Sequence, residues 1–183
     1  MILILSTYRS GSTNLCRSLA EATGYSNKDE LFHESFATEH LHRLRELEKQ
    51  EFKNTIVKIF PYHIQSSPIP NLLNILVEQA ERVICLVRPN FDQQCQSYYI
   101  AKQTNDFHSQ WNDVVTVKYD AEDWRLRQTF IHNEVLALSD WYSDYKCELM
   151  WSHQIAGTVP YSRPVSWDRK PGYTNIDTEE LFY

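Results

Sequence analysis

The stretch Ile2-Leu3-Ile4-Leu5-Ser6-Thr7-Tyr8-Arg9-Ser10-Gly11-Ser12-Thr13-Asn14-Leu15 decides how the chain is read. Its first four residues form an unbroken apolar run, the pattern of a strand buried on both faces. Small hydroxyls, one arginine and one glycine follow. Leu15, Leu19 and Ala22 then recur at helical spacing, and Gly24 reads as a helix stop. The segment is strand, turn, helix. Backbone N–H groups and the helix dipole favour an anion at such a turn. Gly11 permits close approach of the chain to a ligand, Ser10, Ser12 and Thr13 add hydroxyl donors, and Arg9 adds a charged fork. The plainer reading is that Ser10 and Thr13 only cap the helix.

The rest of the chain repeats the alternation. Thr55–Phe60 reads as a second strand that Pro61 ends, and Arg82–Val87 as a third. Residues 38–50 read as a charged helix, Pro70 and Asn71 open another, and residues 91–104 and 124–146 read as two more. Residues 147–150 read as a fourth strand, and the Pro-bearing tail from Gly157 as mostly irregular. Strands alternating with helices predict an α/β fold of three layers, with a mainly parallel central sheet flanked by helices. The 183 residues suit a single domain over 1–183.

Composition narrows the partners. A hydrophobic fraction of 42% with 23% charged residues fits a globular chain and argues against disorder or fibre. The net charge of -6 disfavours nucleic acid as a partner. A small anion still fits, because a local pocket can be positive on an acidic protein. Cys16, Cys85, Cys95 and Cys147 show no zinc-knuckle or redox spacing, so reduced thiols and a cytoplasmic location are expected. The apolar run at the start is too short for a signal peptide or a membrane span, so no membrane partner is expected.

A second strand end carries similar chemistry. Arg82–Val87 runs into Arg88-Pro89-Asn90, and Ser97 follows nine residues after Arg88, two turns into a helix. Arg88 and Ser97 together suit a second phosphate. Their ordinary reading is a surface arginine and a helix-lining serine. The first loop is not a Walker A loop: the Gly-Lys pair is missing, and no acidic residue stands in the usual magnesium position.

These two stretches carry a resemblance. Tyr8 to Thr13 resembles the 5′-phosphosulfate loop of sulfotransferases that use 3′-phosphoadenylyl sulfate (PAPS), and Arg88 to Ser97 resembles their 3′-phosphate motif. The likeness is to the bacterial trehalose 2-sulfotransferase type, through Arg88-Pro89, Gln94, Ser97, Ala101-Lys102-Gln103-Thr104 and Trp111. Thr23-Gly24, Glu30-Leu31-Phe32, Lys58-Ile59-Phe60 and Pro164-Val165 with Arg169 are similar in a weaker way. Residues 33–55 are shorter than the family's equivalent.

The resemblance implies a P-loop-like fold and a metal-independent, in-line sulfuryl transfer from PAPS to a hydroxyl of a carbohydrate or other small acceptor. It implies that Arg9, the backbone of residues 10–13 and Lys58 stabilise the transferred group. Arg88 and Ser97 would hold the 3′-phosphate, with Arg169 covering it. Glu30 is the implied general base and His33 the alternative. His40 and His42 do not share a helix face with His33, so no metal is expected. Phe107 and Trp111 are candidates for lining the acceptor or adenine site. The family includes dimers, which makes a homodimer one expectation. Two competing readings remain: a non-catalytic module that binds nucleotide or a partner, and a small P-loop kinase lacking the usual lysine.

Overall fold

The apolar runs pair into parallel strands in the computed structural model, which describes residues 1–105, 107, 115–155, 165–167 and 176–182. The strands are β1 (Ile2–Ser6), β2 (Ser26–Asn27), β3 (Thr55–Ile59), β4 (Arg82–Val87), β5 (Val115–Val117), β6 (Glu148–Trp151) and β7 (Val165–Trp167). The α-helices are α1 (Ser12–Thr23), α2 (His40–Lys49), α3 (Pro61–Gln65), α4 (Leu72–Gln79), α5 (Phe91–Thr104) and α6 (Ala121–Asp144). The main sheet has five strands in the order β2-β3-β1-β4-β6, every neighbouring pair parallel. β5 and β7 form a separate parallel pair. The protein is thus an α/β protein with helices on both faces of a parallel sheet.

Strand alternation assigns the two faces. Leu3, Leu5, Val57, Ile59, Val83 and Cys85 face the larger core, with Leu72 and Leu76 of α4, Tyr98 and Tyr99 of α5 and Ile131 and Val135 of α6. Ile2, Ile4, Ile56, Ile84 and Leu86 face Leu15 and Cys16 of α1. Lys58 pairs in register with Ile4 and shares the parity of Ile56, so it belongs to the α1 side. A buried lysine on that side needs a partner, and Thr13 in the first turn of α1 supplies one.

Several boundaries differ from the sequence expectation. The charged helix over 38–50 divides into a 3-10 turn at Glu34–Glu39 and the α-helix at His40–Lys49. The second strand stops at Ile59, and Pro61 begins α3, where a missing N–H costs nothing. The long helix starts at Ala121, because the Asp120 side chain accepts from the N–H groups of Glu122 (2.8 Å) and Asp123 (2.9 Å). Among the described residues of the tail, Val165–Trp167 forms a strand, β7. β2 has two residues and β5 and β7 three each, too few to show a period.

The topology fixes where a ligand site belongs. β1 connects onward to β2 on one side of the sheet, and β4 connects onward to β6 on the other. The crevice between the carboxyl ends of β1 and β4 is therefore the topological switch point, the usual ligand position in such sheets. The Arg9-bearing loop and the Arg88-bearing loop both leave the sheet there.

Candidate active site

The turn after β1 is built from two left-handed residues, Arg9 at φ +62° and Gly11 at φ +95°. Glycine adopts this region freely; arginine does so at some cost, and such strain gathers at functional sites. A Cβ on Gly11 would meet Ser152 at 3.8 Å and Ile155 at 3.9 Å, which is ordinary contact, so the backbone angle is what calls for glycine. No side chain caps α1, contrary to the plainer reading of Ser10 and Thr13. The first N–H groups of a helix have no partner within it. The hydroxyl of Ser10, on a residue 1% exposed, is buried without a hydrogen-bond partner. Ser12 is buried and Thr13 is exposed. These are the features of an anion cradle.

Lys58 closes one end of it. The residue is 1% exposed, and its Nζ donates to Thr13 Oγ1 at 2.8 Å. The same ammonium lies 2.6 Å from Asp29 Oδ1 and 3.0 Å from Glu30 Oε1. Burial works to lower the Lys58 pKa, but the carboxylates of Glu30 and Asp29 outweigh it and the net shift is upward. Lys58 is therefore charged.

The second loop adjoins the first. Arg88 Nη1 donates to the Arg9 carbonyl at 3.1 Å, and Nη2 donates to Gln93 Oε1 at 3.4 Å. Arg9 Nε donates to Ser97 Oγ at 2.8 Å, and its Nη1 donates to the Phe107 carbonyl. The Arg9 side chain thus lies with Ser97 and Arg88 and links the two loops. Gln94, on a residue 1% exposed, donates from Nε2 to Thr7 Oγ1 and to the Tyr8 carbonyl, each at 2.6 Å, and so pins the first loop to α5. Burial, reinforced by the neighbouring Arg9 charge, lowers the Arg88 pKa to about 10. No carboxylate pairs with Arg88 among the described residues. A buried guanidinium crowded by a second one, as Arg88 is, is suited to an anion that neutralises it.

Glu30 enters from the segment after β2, which is stapled to β3 by Lys28 N–H to the Ile56 carbonyl (2.8 Å) and Lys58 N–H to the Asp29 carbonyl (3.1 Å). Glu30 Oε2 lies 3.9 Å from His33 Nε2 and 3.9 Å from His63 Nε2. His33 Nε2 also lies 3.2 Å from Glu34 Oε2. His40, fully buried, sits 3.0 Å from the His33 carbonyl through Nε2 and 3.1 Å from Ser67 Oγ through Nδ1. His63 is held neutral: burial first, then the His33, Lys58 and His40 charges, lower its pKa to about 3.

Glu30, His33 and His63 each offer one ligand atom, all within 4.8 Å of one another. Phe60 N–H donates to His63 Nδ1 at 3.3 Å, and Ser35 N–H donates to His33 Nδ1 at 3.2 Å. A neutral ring whose Nδ1 accepts in this way carries its proton on Nε2, the nitrogen facing Glu30. Both Nε2 atoms lie 3.9 Å from Glu30 Oε2, beyond hydrogen-bond distance, and His63 Nε2 is buried without a hydrogen-bond partner.

An aromatic wall borders this cluster. The Tyr8 ring centroid is 4.6 Å from that of Phe60, 5.6 Å from Tyr98 and 5.7 Å from Phe130. Phe107 stands at its edge, 6.4 Å from Tyr98. Glu134 of α6, 3% exposed, adds a buried carboxyl. Burial, offset in part by the Tyr62 N–H and reinforced by Glu34, raises its pKa to about 8.

The structure thus brings Arg9, Arg88 and Ser97 into one cluster and Thr13, Lys58, Glu30 and His33 into another, with Ser10, Gly11 and Ser12 between them. Arg169 and Trp111 lie outside the described residues. Gln94, His63 and Glu134 received no role from the sequence. The available signal was a polar residue at a core position of an otherwise apolar helix face, visible for Gln94 and Glu134. No protein-family model and no curated protein matches this chain.

Proposed function

We propose that the protein is a PAPS-dependent sulfotransferase acting on a small hydroxyl acceptor, of which a carbohydrate is the leading class. The observation that carries this reading is the junction of the two loops: Arg9 Nε on Ser97 Oγ at 2.8 Å and Arg88 Nη1 on the Arg9 carbonyl at 3.1 Å. One continuous cationic surface suits a ligand with a phosphate at each end. Arg88, Ser97 and Arg9 take the 3′-phosphate. The α1 N–H groups, Ser10, Ser12, Thr13 and Lys58 take the 5′-phosphosulfate. Arg169 remains the candidate to cover the 3′-phosphate.

The chemistry follows from these positions. The acceptor oxygen attacks sulfur and forms an S–O bond as the S–O bond to the 5′-phosphate breaks. Adenosine 3′,5′-bisphosphate leaves with the bonding pair, and its new charge is met by the amide cradle and Lys58. The acceptor proton passes to Glu30 Oε2, the oxygen that Lys58 does not hold; His33 is the alternative base. Lys58 and the N–H groups supply the electrostatic role that a metal plays in related phosphoryl transfers. The four cysteines are free, and burial raises the pKa of Cys16 and Cys95 to about 12 and that of the partly buried Cys147 to about 11, so they stay protonated; a cytoplasmic setting is part of the same proposal. No described helix is long and apolar enough to cross a membrane.

The experiment is a thermal-shift screen without metal. Adenosine 3′,5′-bisphosphate at a hundredfold excess over Kd should raise Tm by roughly 5–10 °C. ATP with magnesium should not. Labelled sulfate transfer from PAPS to a sugar panel then separates an enzyme from a module that binds nucleotide without turnover.

A further inference from the structure

One hydrogen-bond donor beside the candidate base has nothing to donate to. His63 Nε2 is buried, on a residue 0% exposed, and has no hydrogen-bond partner. Phe60 N–H donates to the other ring nitrogen, Nδ1, at 3.3 Å, which leaves the ring proton on Nε2. Burial above all keeps the ring neutral, with a pKa of about 3, so the arrangement holds at neutral pH. A buried donor left unpaired is costly, and such groups gather where a ligand completes them.

The ring is held firmly. It stacks on Phe60 at 4.7 Å with the planes 29° apart, and it meets the rings of His33 at 5.4 Å and Tyr8 at 6.1 Å edge-on. These contacts fix the direction of the Nε2 proton. Nε2 lies 3.9 Å from Glu30 Oε2, too far for a direct hydrogen bond and near the span of two atoms bridged by one oxygen. Glu30 Oε1 is held by Lys58 at 3.0 Å, and Lys58 holds Thr13 of the cradle at 2.8 Å. The space between Nε2 and Oε2 therefore belongs to the acceptor side of the cradle. The Glu30 side chain is 23% exposed, so the pair is reached from solvent through Glu30.

We infer that His63 is a further catalytic residue, whose Nε2–H donates to the acceptor hydroxyl oxygen while that hydroxyl donates to Glu30 Oε2, and that this pairing selects oxygen over nitrogen as the nucleophile. It rests on the sulfotransferase reading of the adjoining cradle. A small turn of the Glu30 side chain admits the oxygen. Every valence of a hydroxyl oxygen is then used. Its proton passes to Glu30, and one lone pair accepts from His63. The second pair forms the new S–O bond, and the departing bisphosphate keeps the electrons of the old one. His63 retains its proton and meets the charge that grows on the oxygen. A neutral amine has a single lone pair, and once it accepts from His63 none is left for sulfur. An ammonium has none at all.

The test compares the wild type with His63→Phe and His63→Gln, the glutamine amide keeping an N–H at similar reach. Sulfate labelled in PAPS is followed to water, the smallest hydroxyl acceptor, and to the sugar panel. His63→Phe should lower kcat about tenfold or more with bisphosphate affinity unchanged, and His63→Gln should recover part of the loss. An unchanged rate in His63→Phe, an equal loss in both variants, no transfer by a wild type that binds the bisphosphate, or an N-sulfated product from glucosamine would each overturn the inference. Should His63→Phe not fold, NMR of the imidazole nitrogens in the wild type decides: a proton on His63 Nε2 supports the inference, and one on Nδ1 overturns it. Failure of the bisphosphate to bind would instead remove the sulfotransferase reading, and the NMR measurement, which needs no nucleotide, would still report on the donor.

Discussion

The two sides of the Tyr8–Thr13 turn are electrostatic opposites. On one side Arg9, Arg88 and the start of α1 present guanidinium and amide hydrogens, and Arg88 has no carboxylate partner among the described residues. On the other, Glu30 and Glu34 lie beside His33 and Glu134 is buried on α6, while Lys58 links Thr13 of the first side to Glu30 of the second. Burial first, and a neighbouring like charge after it, lowers the Arg88 pKa on one side and raises the Glu134 pKa on the other. Such a contrast a few residues apart suits the proposed transfer reaction, with an anionic donor on one side and a proton-accepting acceptor site on the other.

The largest effect should come from the junction of the two sides. Glu30→Gln keeps the shape but removes the proton acceptor, and kcat should fall roughly 10²–10⁴-fold with bisphosphate affinity unchanged. Full activity in this variant would shift the base to His33. Arg88→Ala tests the cationic side. It should weaken adenosine 3′,5′-bisphosphate by about 1.5–3 kcal/mol, read by calorimetry, and leave adenosine 5′-phosphosulfate nearly unaffected. Equal weakening of both ligands would undo the division of the cradle into two phosphate sites.

A third prediction concerns the acidic side. The ordinary carboxyl value of Glu134 is 4.5, and in the fold it is about 8, so the folded state retains a proton that the unfolded state releases. The stability this represents is intact below pH 4.5 and is lost progressively as pH climbs through about 8. The groups facing Glu134 are Glu34, the Tyr62 N–H, Tyr8 and Tyr98. Glu134→Gln should flatten the decline of Tm across this window; an unchanged slope would mean that Glu134 is ionised at neutral pH. The smallest effect is local. Gly11→Ala places a Cβ at φ +95° and should cost about 1–2 kcal/mol in a denaturant melt.

The contrast between the sides also explains what the sequence revealed. The cationic side lies on two contiguous stretches, each following an apolar strand, so Arg9 to Thr13 and Arg88 to Ser97 were legible from position alone. The parallel sheet was legible for the same reason, since Ile2–Leu5 and Val83–Val87 are unbroken apolar runs and Ile56–Phe60 is apolar but for Lys58. The acidic side is assembled from residues 30–34, 58–63 and 134, which only the sheet order brings together. His63 sits in a five-residue helix, and Glu134 is one polar position within a 24-residue amphipathic helix. His63 has no local pattern to announce it, and Glu134 shows only as a polar residue at a core position of its helix. The Arg9 side chain was expected at the sulfuryl end, and its hydrogen bond to Ser97, 88 residues away, depends on how α5 packs beside β1.

The central claim is that one cradle grips both ends of a doubly phosphorylated adenosine. Calorimetric titration of adenosine 3′,5′-bisphosphate against adenosine 3′-monophosphate and adenosine 5′-monophosphate, without metal, tests it most directly. The account predicts that the bisphosphate binds at least about tenfold tighter than either monophosphate, because each end adds charge-assisted hydrogen bonds. A bisphosphate that binds no better than the tighter monophosphate would contradict it.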